Sequence, residues 1–229
     1  LEFRRVLFRS GITEFLPISS TAHLRIVPSL LGLDDPGAAF TAVIQLGTVL
    51  AVLIYFASDL KQAIVGWFRS LIGGPKDTLE ARMGWGVFWG TIPIVVLGFL
   101  LRHQIKSDAV RSLYVIAGSL IGMGVLMLLA DRADKAKRKL EDVSVRDGIV
   151  IGLWQCVALI PGASRSGSTI TGALFAGLDR TAAARYSFLL SVPSITAAGL
   201  YELFDERKAI LGQNLVPALV ATVVSFVVG

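Results

Sequence analysis

Glu14, Ser19, Ser20, Thr21 and His23 fall within ten residues of one another, and Ser164, Arg165, Ser166, Ser168 and Thr169 within six. The first stretch offers a carboxylate, an imidazole and hydroxyls. The second offers a guanidinium and hydroxyls, interleaved with Gly162 and Gly167. A Gly/Ser loop presents backbone N–H groups to an anion, and the N-terminus of a following helix adds its dipole. A guanidinium such as that of Arg165 grips phosphate through two parallel hydrogen bonds. Glu14 suits a divalent metal, Mg²⁺ or Ca²⁺, because both favour carboxylate and phosphate oxygens. Together the stretches predict a site for a phosphorylated ligand.

The elements that must position these groups are apolar. Hydrophobic residues make up 54% of the 229 and charged residues only 17%, against about 25% charged in ordinary soluble domains. The mean hydropathy is +0.68. About 20 apolar residues cross a bilayer core of about 30 Å. On that measure residues 38–57, 83–101, 112–130 and 181–203 are predicted to span, and 215–229 begins another span. Residues 11–31 are broken by Pro17, Pro28 and polar side chains, and the apolar run 148–160 is too short to cross alone. An ionisable group at mid-depth costs at least about 2.5–3.5 kcal/mol, so Glu14 and Arg165 imply a polar cavity or a partner.

The connections carry further expectations. Residues 60–72, with Trp67 and Phe68 beside Lys61 and Arg69, read as an interfacial amphipathic helix. Trp85 and Trp89 read as interface anchors. Gly118, Gly122 and Gly124 are expected to permit close helix packing. Arg185 and Tyr186 are expected to face the helix of the second polar stretch. Ser166 and Ser168 carry a competing reading as simple donors to carbonyls four residues back. The charged stretch 131–147 reads as a solvated loop, cytoplasmic by its lysines and arginines. The single cysteine, Cys156, excludes an internal disulfide and reads as apolar packing. The basic residues lie in short loops between apolar helices, which argues against a nucleic-acid partner.

A weak repeat runs through the chain. Pro17, Ser19 and Ser20 are echoed by Pro161, Ala163 and Ser164, and Thr48, Tyr55 and Asp59 by Ser194, Tyr201 and Asp205 at a constant offset. Each unit is a broken apolar segment followed by a clean helix, and the loop charges place the two units in opposite orientations. The predicted fold is therefore an all-α, polytopic membrane helical bundle. It contains two inverted repeats, each with a broken, re-entrant helical hairpin and a polar site near the midplane.

The motifs G-x-T-E-F-L-P-I-S-S-T-A-H-L from Gly11 and P-G-x-S-R-S-G-S-T from Pro161 resemble the two signatures of the undecaprenyl-diphosphate phosphatase family, the bacitracin-resistance proteins. The resemblance covers nearly all of residues 11–229, with Gln45 and Gln155 in their expected contexts. It implies hydrolysis of a C55 isoprenyl diphosphate to the monophosphate and inorganic phosphate, recycling the cell-wall lipid carrier. It also implies a divalent metal, a multi-pass protein of the bacterial inner membrane and an active site toward the periplasm. Carried over by position, Glu14 is a catalytic and metal-binding carboxylate. Ser20 is nucleophile or substrate ligand, and His23 is base or nucleophile. Ser164, Arg165 and Thr169 form the phosphate loop, with Ser19, Thr21 and Ser166 as further substrate hydroxyls. The partners implied are the polyprenyl diphosphate and the bilayer, with an oligomer left open. The alternative class is a transporter or flippase for a phosphorylated polyprenyl lipid, which needs no nucleophile and base.

One position departs from the family. Ser10 stands where the resemblance expects the first glutamate of an E-x-x-x-E pair completed by Glu14. Residues 1–10 read as a translated sequencing adapter, hence non-native, leaving 11–229 as one transmembrane domain. The apolar run at 225–229 ends without a flanking charge, so C-terminal helices are expected to be missing. On this reading the chain with Ser10 is expected to be inactive or nearly so.

Overall fold

The computed structural model describes residues 17, 19, 20, 26, 32, 38–105, 107, 109–133, 138–205 and 215–228. Nine α-helices run through these residues: α1 Ala38–Tyr55, α2 Ala57–Leu71, α3 Leu79–Leu100, the single turn α4 Arg102–Ile105, α5 Leu113–Arg132, α6 Val145–Gln155, α7 Arg165–Phe175, α8 Arg180–Asp205 and α9 Leu215–Val228. Short 3-10 turns cover Leu140–Asp142 and Cys156–Leu159. The described residues contain no strand, only an isolated bridge between Arg138 and Leu178.

Polar side chains cap the starts of α3, α5 and α6. Thr78 accepts from the Ala81 N–H at 3.3 Å and Ser112 from the Val115 N–H at 3.4 Å. Ser144 and Asp147 form a reciprocal box at the start of α6, which satisfies two of the donors every helix end leaves open.

By length and composition α3 and α5 are membrane spans. The expected span 38–57 is α1, but the chain turns by 80° at Phe56 and continues as α2. The amphipathic stretch expected near 60–72 is thus a helix, and its buried face, Ala63, Gly66 and Ser70, packs on α3. The expected span 181–203 is α8, 26 residues long. It lies inside the bundle, with Tyr186, Ser187, Leu189, Leu190 and Ser191 buried, so its serines avoid lipid.

Glycines set how close the central helices come, though not the glycines expected. Gly86 and Gly90 of α3 face Gly148 and Gly152 of α6. A Cβ on Gly148 would collide with Gly86 Cα, and one on Gly152 with the Gly90 backbone. The pairing rises together along both helices, so α3 and α6 run parallel. This is the small-x-x-x-small contact of membrane helices. By contrast, nothing stands within 4 Å of a Cβ built on Gly118, Gly122 or Gly124. These three face outward on α5 and make no close helix contact among the described residues.

The charged stretch 131–147 is only partly solvated. The Arg138 guanidinium pairs with Asp147 at 2.6 Å and donates to Ala176 O at 2.9 Å and Asp142 O at 2.7 Å. It straps the loop and α6 to the C-terminal end of α7. Burial pushes the Asp147 carboxyl up, but the hydrogen bonds from Arg138 and Ser144 outweigh it and hold the group below its usual range. That stabilisation is present above the ordinary carboxylate range and is lost as pH falls through the lowered value. Arg138→Ala is expected to cost about 2 kcal/mol, read as a lower thermal unfolding midpoint in detergent at neutral pH. The deficit should shrink at acid pH.

Candidate active site

The second polar stretch folds as a helix, a turn and a helix. α6 and α7 have 11 residues each, about 16 Å at 1.5 Å per residue, half a bilayer core. The turn between them holds its shape by named contacts. Ser119 of α5 donates to Pro161 O at 2.5 Å. Gly162 sits at φ +95°, and a Cβ there would strike Ser119 and Ile116, so only glycine fits. Ser168 donates to Ala163 O at 3.0 Å and Ser164 O at 2.9 Å.

Ser164 then caps α7. Its Oγ accepts from the Gly167 N–H at 3.2 Å and lies 3.3 Å from Ser166 Oγ. Its backbone is left-handed, φ 47°, a conformation costing an L-residue about 1–2 kcal/mol. Among the described residues the other non-glycine at positive φ is Ser19, at 60°. Each of these serines directly precedes a helical residue, Ser20 in one case and Arg165 in the other. Each polar motif thus carries one strained serine, one residue apart in the repeat, and such strain clusters at functional sites.

The two motifs meet. A Cβ built on Gly167 would lie 3.6 Å from Pro17 O. Ser19, Ser20, Ser164 and Ser166 are all buried, and Arg165 is half-buried at the first position of α7, where the positive end of the helix dipole adds to its charge. Glu14, Thr21 and His23 lie outside the described residues, as do residues 1–10. The described residues contain no cluster of three or more His, Cys, Asp or Glu side chains.

The structure gives several of the singled-out positions named contacts. Thr169, read as a phosphate ligand, is buried, with Oγ1 2.9 Å from Arg165 O and 2.5 Å from Ser187 Oγ. It joins the first turn of α7 to α8. Ser168 follows the simpler reading and serves backbone carbonyls. Arg185 pairs with Asp59 on α2 at 2.6 Å, not with α7. The Tyr186 hydroxyl sits where Gly86 and Gly148 converge. Sequence reasoning missed Ser187 and Ser119. The signal for Ser187 was legible: Ser187, Ser191 and Ser194 form a polar stripe at helical spacing on α8, and all three are buried. Ser194 also donates to Gln155 Oε1 at 3.2 Å.

The helices and the buried, serine-capped turn define a polytopic membrane protein with a hydroxyl-rich site inside the bundle. The family described as "Bacitracin resistance protein BacA" matches residues 10–229, and the chain belongs to it. Similar proteins include the undecaprenyl-diphosphatase of Chlorobaculum tepidum, 50% identical over 229 aligned residues, covering 96% of this chain and 81% of that protein. The undecaprenyl-diphosphatase of Myxococcus xanthus is 52% identical over 220 aligned residues, covering 96% of this chain and 74% of its own.

Proposed function

We propose that this chain hydrolyses undecaprenyl diphosphate to undecaprenyl phosphate and inorganic phosphate. The observation that carries the reading is the match across both polar motifs to undecaprenyl-diphosphatases at about half identity, with Arg165 opening a helix beside a strained, buried serine turn. Arg165 and the N-terminus of α7 hold the terminal phosphate and offset charge as it builds on its oxygens. The anhydride P–O bond breaks, and the polyprenyl phosphate leaves. Either water attacks, or Ser20 or His23 forms a phosphoryl intermediate that water then opens. His23 takes the proton where Ser20 or water is the nucleophile. Glu14 is the residue that would hold Mg²⁺ or Ca²⁺, and the cation supplies charge neutralisation at the diphosphate.

The inverted-repeat architecture belongs to the same proposal. The chain at the bend into α2 runs antiparallel to α8, with Phe56 meeting Phe188 and Asp59 meeting Arg185, which supports it. On this reading α6 and α7 form a re-entrant hairpin entering from the cytoplasmic side. The site then opens toward the periplasmic face of the inner membrane.

The test is phosphate release from the C55 diphosphate by the chain carrying Ser10→Glu, beside the chain as it stands. Release by the Ser10→Glu protein should stop with chelator and return with Mg²⁺ or Ca²⁺, while the Ser10 chain releases little. No release with metal present would overturn the hydrolase reading. Release indifferent to chelator would overturn the metal role, and equal rates at low metal would overturn the paired carboxylates.

A further inference from the structure

A cleft of about 310 Å³ opens between the end of α3, α4 and α8, at the lower end of the range for ligand sites, about 300–1,000 Å³. Its walls are apolar, including Gly98, Phe99, Leu159, Ala198 and Tyr201, and Arg102 stands in its lining. The Phe99 and Tyr201 rings flank it edge to face with centroids 6.4 Å apart, and both are exposed. The Arg102 guanidinium lies 4.4 Å from the Phe99 ring centroid and donates to Phe99 O at 2.9 Å. It makes no ion pair among the described residues. The position of the cleft is fixed by the parallel crossing of α3 and α6. Gly98 is level with Leu159, whose Cδ2 would lie 3.5 Å from a Cβ built on Gly98, and Leu159 directly precedes the turn that leads into α7. Arg102 lies one turn further along, about 6 Å, at the rim of the same end of the bundle.

An apolar slot with a cation at its rim is complementary to an anionic amphiphile. Two other grooves among the described residues lack that combination. The one between α2, α3 and α8 is lined by Leu60, Trp67, Phe88 and other residues that bring no charge, and in the one beside α1 Arg185 is already paired with Asp59. We propose that this cleft is the lateral portal for the substrate. The first isoprenoid units lie along the wall of Gly98, Leu159 and Ala198 beside the Phe99–Tyr201 pair, and Arg102 meets the diphosphate before it passes to Arg165. The inference rests on the hydrolase reading for the identity of the lipid, and Arg102 is a recruiting residue that takes no part in the chemistry.

Photolabelling tests it without requiring turnover. The full chain in detergent is labelled with a polyprenyl diphosphate that carries a photoreactive group on its first isoprene unit. The adducts are mapped by mass spectrometry. Saturable labelling of Phe99, Ala198 or Tyr201 is expected. Arg102→Glu should lower it about tenfold, as should Ala198→Trp, which fills the slot. Arg102→Lys should restore most of it, because a point charge suffices for recruitment. In the Ser10→Glu protein, Arg102→Glu should raise KM for the C55 diphosphate about tenfold and leave kcat within about twofold, the effect growing at low salt. Labelling confined to other helices, absence of saturable labelling, or a loss in kcat with KM unchanged would overturn the portal. Labelling as expected in a protein that releases no phosphate would uphold the portal and overturn the hydrolase reading alone.

Discussion

Arg165→Ala in the Ser10→Glu protein is expected to lower kcat for phosphate release at least about 10²–10³-fold, the usual cost of losing one preorganised donor to transition-state charge. Arg165 opens α7 directly after the strained Ser164 cap, so its backbone position is set by the turn and not by the guanidinium. The variant should therefore insert like the parent, which membrane fractionation checks. Arg165→Lys should also be poor. Lysine brings a point charge and cannot reproduce the planar fork that meets two phosphate oxygens at once. Near-parental kcat in Arg165→Lys would show that charge alone suffices, and near-parental kcat in Arg165→Ala would remove Arg165 from the site.

Gly152→Leu should have the largest effect on stability. Its side chain would grow into the Gly90 backbone across the α3–α6 crossing, and no rotamer escapes a collision that begins at Cβ. Overpacking costs about 1–3 kcal/mol where side chains yield. Here main chain opposes main chain, so a loss of about 3 kcal/mol or more is expected, with the α6–α7 turn displaced and activity lost with it. The matched control is Gly122→Leu on the outer face of α5, where nothing stands within 4 Å. It should leave the unfolding midpoint unchanged within about a degree. Equal melting of the two variants would show that the crossing is not a main determinant of stability.

The amino-acid sequence by itself determined the helical class, the apolar stretches that became α1, α3, α5, α8 and α9, and the two polar motifs. These properties are local. Apolar length, proline interruption and capping residues act within a turn or two of where they stand, so they can be read one segment at a time. The Gly/Ser run announced the turn before α7. Which side chains face one another depends instead on contacts between residues far apart in the chain. Nothing in periodicity distinguishes Gly86, Gly90, Gly148 and Gly152, which weld α3 to α6, from Gly118 and Gly122, which face outward. Arg138 looked like one more loop cation until the fold brought Asp147 and Ala176 O to it. The tie between Thr169 and Ser187 of α8 was likewise invisible until the fold brought them together. The left-handed backbone of Ser19 and Ser164 belongs to the same class. No serine adopts it by preference, and at Ser164 the preceding turn, with Pro161 and Gly162 packed against α5, holds it.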